Sequence, residues 1–276
     1  MDLTVAAFRA LHQSGCFVIP NPWDAGSAIY LRHLGFKALA TTSAGAAFAR
    51  GLADDAVPRD TMLAHIREMV AATPLPVNAD FQAGYAREPE GVAANVMMCV
   101  RTGVAGLSIE DGTGDPAEPL YPRTLAVKRV RAARAAIDAS GTGVVLTARC
   151  EAWLVGDREP ARTALDRLVA FAEAGADCLF APGVRDPDAI AAIVAAVAPK
   201  PVNVLVLGPG LPVSRLAELG VRRISVGSAL ARVAFGAFMR AARSVAETGS
   251  FDALGDGVPF GELNDLFRAR GKSDPL

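Results

Sequence analysis

The chain has 276 residues, 28 Lys+Arg against 29 Asp+Glu, a formal net charge of −1, and 51% hydrophobic and 21% charged residues. That balance excludes a disordered chain, which needs few apolar residues and a large net charge. It also excludes a nucleic-acid binder that works by phosphate neutralisation, because there is no basic excess to release counterions.

The N-terminal MDLTVAAFRALHQSG is an amphipathic helix pattern interrupted by Arg9 and His12. It lacks the basic start and long apolar block of a signal peptide. No apolar run reaches the roughly 18 residues of a membrane span, so a cytoplasmic protein that meets neither membrane nor nucleic acid is expected.

Short apolar runs then read as buried parallel strands: Cys16–Pro20, Ala38–Thr42, Pro76–Asp80, Gly106–Glu110, Val144–Arg149, Cys178–Phe180, Val202–Leu205 and Arg223–Val226. Helical patterns lie between them at Ala25–Leu34, Arg59–Ala72, Pro89–Thr102, Leu125–Ala139, Pro160–Ala174, Pro187–Val197 and Val213–Leu219, and a longer one follows at Ser228–Thr248. The joints LGFKAL, TGVAGL, AGADCL and LGVRRI repeat one device, a glycine that ends a helix just before a strand. Eight such alternations predict an α/β fold of the (β/α)8 TIM-barrel class over residues 1–248. A doubly wound sheet is disfavoured because no GxGxxG follows the first strand. Residues 249–276 exceed a barrel's needs. Their Phe260–Arg270 stretch, with Leu263, Leu266 and Phe267, predicts one more helix that packs on its own barrel or on a neighbour.

The cysteines at 16, 99, 150 and 178 have no zinc-like spacing and read as buried reduced thiols. Histidines 12, 33 and 65 fall in helical patterns away from the strand ends, which argues against a histidine base.

Active sites of such barrels lie at the C-terminal ends of the strands. There the sequence places Asp24, Thr41–Gly45, Asp80 with Gln82, Glu110 with Asp111, Arg149 with Glu151, Asn203 and Ser225. Asp24 precedes AGSAIYL and reads as a helix cap. Asp80 and Glu110 close adjacent strands without leading into a helix, so together they could share a cation. Arg149 ends a third strand and must face a carboxylate, from a ligand or from Glu110 or Glu151. Oxygen ligands without His or Cys favour Mg²⁺ or Mn²⁺ over zinc.

At these residues the sequence resembles the isocitrate lyase/phosphoenolpyruvate mutase superfamily. The resemblance spans about residues 16–246 and is carried by NPWDAGSA, the TTSAG turn, GLADD, PVNADFQAGY, GVAGLSIED, TARCEAW and AGADCLF, in this order. It implies a barrel whose last helix is exchanged between partners in a homodimer or homotetramer, with Mg²⁺ and a small 2-oxo acid as cofactor and substrate. It implies that Ser43, Ala44 and Gly45 hold the substrate carboxylate, that Asp80 and Glu110 belong to the metal site, and that Arg149 contacts the oxo acid. Asp54 matches an acid on the loop after the second strand, while Asn203 and Ser225 are further substrate-binding candidates.

Two departures stand out. The second metal-site acid of the superfamily falls on Gln82, which lowers the charge of the site. The lyases' Lys-x-Cys-Gly-His loop is replaced by GTGDPAEPLYP, which removes the usual proton donor for isocitrate or 2-methylisocitrate cleavage. The expectation is therefore an Mg²⁺-dependent carbon–carbon lyase or decarboxylase acting on a 2-oxo carboxylate such as oxaloacetate, 2-oxoglutarate or a pyruvate-like acid. Its catalytic residues would be Asp54, Glu110 and Arg149. The alternatives are phosphonopyruvate mutase-type chemistry and a 2-oxo acid-binding barrel with little turnover. Specificity is expected in the 111–122 loop and near Pro182 and Gly183.

Overall fold

A computed structural model describes residues 2–273. Helix α1 (Leu3–Leu11) leads into β1 (Phe17–Ile19), α2 (Ala25–His33), β2 (Leu39–Ala40), α3 (Ser43–Phe48), α4 (Arg59–Ala72), β3 (Val77–Asp80), α5 (Pro89–Val100) and β4 (Gly106–Glu110). Then come α6 (Arg123–Ser140), β5 (Val145–Arg149), α7 (Pro160–Glu173), β6 (Cys178–Phe180), α8 (Pro187–Val197), β7 (Val202–Leu205), α9 (Val213–Glu218) and β8 (Arg223–Ser225). Helix α10 (Ala229–Thr248), a 3₁₀ turn at Asp252–Asp256 and α11 (Phe260–Ser273) complete the described chain.

All strand pairs are parallel, in the order β1-β8-β7-β6-β5-β4-β3-β2. The remaining seam is spanned by the Ala40 N–H donating to Pro20 O (3.0 Å) and the Asn21 side-chain amide donating to Thr41 O (2.9 Å). This is the expected (β/α)8 barrel. Among the described residues, no helix is long and apolar enough to cross a membrane.

The N-terminal helix stops the bottom of the barrel. Its Phe8 ring is fully buried, and a Cβ on Gly106 of β4 would lie 2.6 Å from it, so only glycine admits the ring there. His12 stands edge-on to both Phe8 and Phe17. His65 is buried and His12 half-buried, both packing their helices, and desolvation depresses them to about 4 and about 3. Asp24 caps α2 in a reciprocal capping box with Ser27, as read from sequence. Cys99, Cys150 and Cys178 are buried free thiols.

The C-terminal region divides into two behaviours. Helix α11 folds back on α2 of its own barrel, with Phe267 against Gly26. In α10 only Ala231 is buried, while Val233, Phe238 and Met239 are exposed. Residues 274–276 of the expected extension lie outside the described residues.

One buried arginine sets the loops above the barrel. Arg129 on α6 is 1% exposed, donates to the carbonyls of Ala83, Ala86 and Arg87, and stacks on Tyr121 at 4.0 Å. It thus joins the loop after β3 to the loop after β4. Replacing Arg129 with Met would orphan those three carbonyls, at about 1 kcal/mol or more each. Urea denaturation should show a loss of about 3 kcal/mol or more overall, and an unchanged midpoint would refute the clamp.

Candidate active site

A cavity of about 230 Å³ opens where the strands end, lined among others by Ser43, Asp54, Asp80, Arg149, Asn203 and Ser225. Ala44 also faces it. Gly45 lies just behind, where a Cβ would come within 2.6 Å of Thr42 and 3.0 Å of Trp23, so a larger residue would push the turn out of place.

Helix α3 was read from sequence as a turn. It forms because Thr42 caps it, accepting from the Gly45 N–H at 3.2 Å. That start aims both the Ser43 N–H and the Ser43 hydroxyl at one carboxylate oxygen of Asp80, each at 2.9 Å. The Asp80 N–H in turn donates to the Thr41 hydroxyl at 2.8 Å. The turn expected to hold a substrate carboxylate therefore holds a carboxylate of the protein itself.

Arg149 sits at the centre of an acidic group. Its Nη1 lies 3.2 Å from Glu110 and 3.5 Å from Asp80, and its Nε and Nη2 donate to the two oxygens of Glu151, the latter at 3.2 Å. Both protein partners considered from sequence, Glu110 and Glu151, are thus engaged at once. Burial works against the Arg149 charge, but Glu110, Glu151 and Asp80 outweigh it and hold the guanidinium firmly protonated. Burial pushes Glu110 well above its ordinary value; Arg149 opposes this, and Glu151 and Asp80 add to it. Asp54 is also raised, by burial and then by Asp55 and Asp80.

The expected metal residues are divided. Asp80 faces the cavity, whereas Glu110 and Gln82 line a second hollow with Asp55, Tyr85 and Glu151. Two-residue spacing puts side chains on one face only while a strand continues. Strand β3 ends at Asp80, and Gln82 has φ +47°, so its amide turns away and donates to Asp55 at 2.6 Å. Residues 112–114, 119 and 121 of the 111–122 loop border the same hollow rather than the cavity.

Among the described residues, no three or more His, Cys, Asp or Glu side chains are grouped to hold a metal ion. The donors facing the cavity, Asp80, Asp54 and the Ser43 hydroxyl, are hard oxygens. They suit Mg²⁺ or Mn²⁺, which take one or two carboxylates and complete their shell with water and substrate.

Glu151, expected from sequence as a partner of Arg149, is held in place by its N–H donating to Asp111 (2.8 Å), which also pairs with Arg167 (2.9 Å). Other polar residues escaped the sequence reading. Asn21 accepts from the N–H groups of Val226 and Gly227 at 2.9 and 2.8 Å, tying β8 to β1 at the mouth. Asn203 and Ser225 bond to each other at 2.9 Å, and Asn203 accepts from Arg223, a lining residue that had no assigned role.

The sequence profile of the phosphoenolpyruvate phosphomutase family matches residues 8–246. A solved structure from Burkholderia cenocepacia J2315, described as a candidate lyase/mutase, is 48% identical, covers 96% of each chain and superposes with a TM-score of 0.93. An uncharacterised Mycobacterium tuberculosis protein is 34% identical over 93% of this chain and 94% of its own. Oxaloacetate decarboxylase of Chromohalobacter salexigens is 32% identical over 80% of this chain and 78% of its own.

Removing the central guanidinium should expose its role. Arg149→Ala would leave three buried acids uncompensated, at about 3–5 kcal/mol near neutral pH. A buried glutamate with a raised folded value, here above 4.5, contributes stability that is full below 4.5 and lost as pH rises through the folded value. Without Arg149 that loss grows, so the variant's deficit should be larger at pH 8 than at pH 5. A deficit independent of pH in denaturation curves would contradict this arrangement.

Proposed function

The chain belongs to the phosphoenolpyruvate phosphomutase family, and from that premise we propose that it is an enzyme acting on a small 2-oxo carboxylate together with Mg²⁺ or Mn²⁺. It breaks a bond to C3 through an enolate, as a carbon–carbon lyase or decarboxylase. The observation that carries this reading is the placement of Ser43, Asp80 and Arg149 in one cavity, with anion donors and a hard carboxylate in direct contact. The relative named oxaloacetate decarboxylase supports a substrate of this class.

Asp80 would hold the cation, with the Ser43 hydroxyl and water as further oxygen donors, while Glu110 lies on the other side of Arg149 in the neighbouring hollow. The cation supplies the Lewis acid that stabilises negative charge on the oxo group as the bond to C3 breaks. Ser43 and Arg149 bind Asp80 in the free protein, and the same N–H and O–H donors are those that orient a substrate carboxylate. Asp54 lines the same cavity, with its carboxyl raised by burial and then by Asp55 and Asp80, and is the candidate proton donor to the carbon that loses carbon dioxide or its other leaving group. The family's own description favours a second reading, cleavage of the phosphorus–carbon bond of phosphonopyruvate.

With Mg²⁺ present, oxaloacetate should be consumed faster than in the metal-only control, and Asp80→Ala should abolish metal-dependent binding in calorimetry. Thermal stabilisation by 2-oxo acids without any product would favour a binding barrel instead. Unchanged Mg²⁺ affinity in Asp80→Ala would remove the metal assignment.

The same reading extends to assembly. Val233, Phe238 and Met239 are exposed apolar side chains spread around α10, a helix in which only Ala231 is buried, and a second copy of the chain is the proposed partner that covers it. Sedimentation velocity should give a homodimer or homotetramer that Phe238→Asp dissociates; a monomeric wild type would refute it.

A further inference from the structure

The cavity is bounded by two arginines of opposite circumstance. Arg149 has three carboxylates around it. Arg223, at the start of β8, is 3% exposed and has none within ion-pairing distance among the described residues. Its Nε donates to the Asn203 side-chain oxygen at 2.9 Å, its Nη2 to the Thr147 hydroxyl at 2.9 Å, and its Nη1 approaches His12 Nε2 at 3.3 Å. All three acceptors are neutral. A guanidinium carries five N–H donors and is always charged in a protein. Two donors therefore remain, together with a whole uncompensated charge, and the side chain lines the cavity.

A buried cation without a counter-ion costs several kcal/mol. The barrel wall offers no acid to it. The neighbouring Cys178 thiol does not supply one either, since burial raises its pKa and keeps it neutral. The remaining source of negative charge is whatever fills the cavity.

The position relative to Arg149 gives the ligand a length. Thr147 and Arg149 lie two residues apart on β5 and face the same side. At a rise of roughly 3.3 Å per residue, Thr147 is about 6.6 Å deeper in the barrel. Arg223 bonds to that deeper residue.

We propose that Arg223 forms a second anion subsite at the floor of the cavity and receives the distal carboxylate of a 2-oxo dicarboxylate whose 2-oxo acid end lies at Ser43 and Arg149. The inference rests on the 2-oxo acid reading and narrows it to diacids. Monoacids such as pyruvate would leave the Arg223 charge unmatched. Asn203 and Thr147 act as positioning residues that hold the guanidinium fork toward the opening.

The test is isothermal titration calorimetry of the full-length protein with Mg²⁺, comparing oxaloacetate and 2-oxoglutarate with pyruvate and 2-oxobutyrate. Wild type should bind at least one diacid about tenfold or more tighter than the monoacids, as expected for one charge-assisted contact. Arg223→Met should erase that preference while leaving monoacid affinity within about twofold. Arg223→Lys keeps the charge, should retain part of the preference, and serves if the Met variant does not fold. Equal affinity for both classes in wild type, or a preference that survives in Arg223→Met, would overturn the subsite alone. Absence of binding by either class would overturn the 2-oxo acid reading itself, and the subsite with it.

Discussion

The site depends on one electrostatic imbalance, a single guanidinium at the ends of β3, β4 and β5 set among Asp80, Glu110 and Glu151. At an effective dielectric of about 20, each contact of 3–4 Å is worth about 4–5 kcal/mol. Taking an ion from water costs several kcal/mol. One cation cannot offset the burial of three acids, so the group is stable only with a proton on one of them or with another cation. Burial and the neighbouring acids push Glu110 in the direction of the first solution, and the divalent ion proposed at Asp80 would be the second. The barrel imposes this choice because parallel neighbouring strands deliver their terminal side chains to one place, whatever their charges.

The same geometry orders the steps of binding. In the free protein Asp80 accepts from Ser43 and faces Arg149, so the donors for a substrate carboxylate are already satisfied by the protein's own anion. A substrate anion gains little by displacing Asp80 unless Asp80 has something better to bind. A cation provides that, and its charge also lets an anion pass an acidic rim. Cation and substrate should therefore bind with positive coupling, each raising the affinity for the other by the same factor.

Much of the architecture was legible in the sequence because it is written in local rules. Apolar runs of strand length, glycines ending helices and the eightfold alternation all act within a few residues. The strand-end positions of Asp80, Glu110 and Arg149 followed from the fold class alone. What was missed depends on the third dimension. The TTSAG segment reads as a turn because its residues are small, and it becomes a helix only through the Thr42 cap. Gln82 lies two residues from Asp80 and was placed beside it, but a left-handed backbone past the strand end sends it to the other hollow. Arg223 sits in an apolar run and carries no motif. Its surroundings come from the end of α1, from β5 and from β7, which are 211, 76 and 20 residues away in the chain.

The floor of the cavity shows how such distant parts determine one another. His12 donates through Nδ1 to the Phe8 carbonyl at 2.7 Å, because a carbonyl can only accept. With that proton fixed, neutral His12 has its lone pair at Nε2, where it accepts from Arg223. Adding a second proton would bring another cation against Arg223, and burial together with that neighbour lowers His12 to about 3. The helix that seals the barrel therefore offers Arg223 a hydrogen bond and no charge. Asn203 and Thr147 do the same from the walls. Since every side of the guanidinium except the open one is closed by neutral groups, its charge can be matched only from the cavity above. The polarity of the site follows, with acids at the rim and a lone positive charge at depth, the arrangement that the proposed cation and diacid would need.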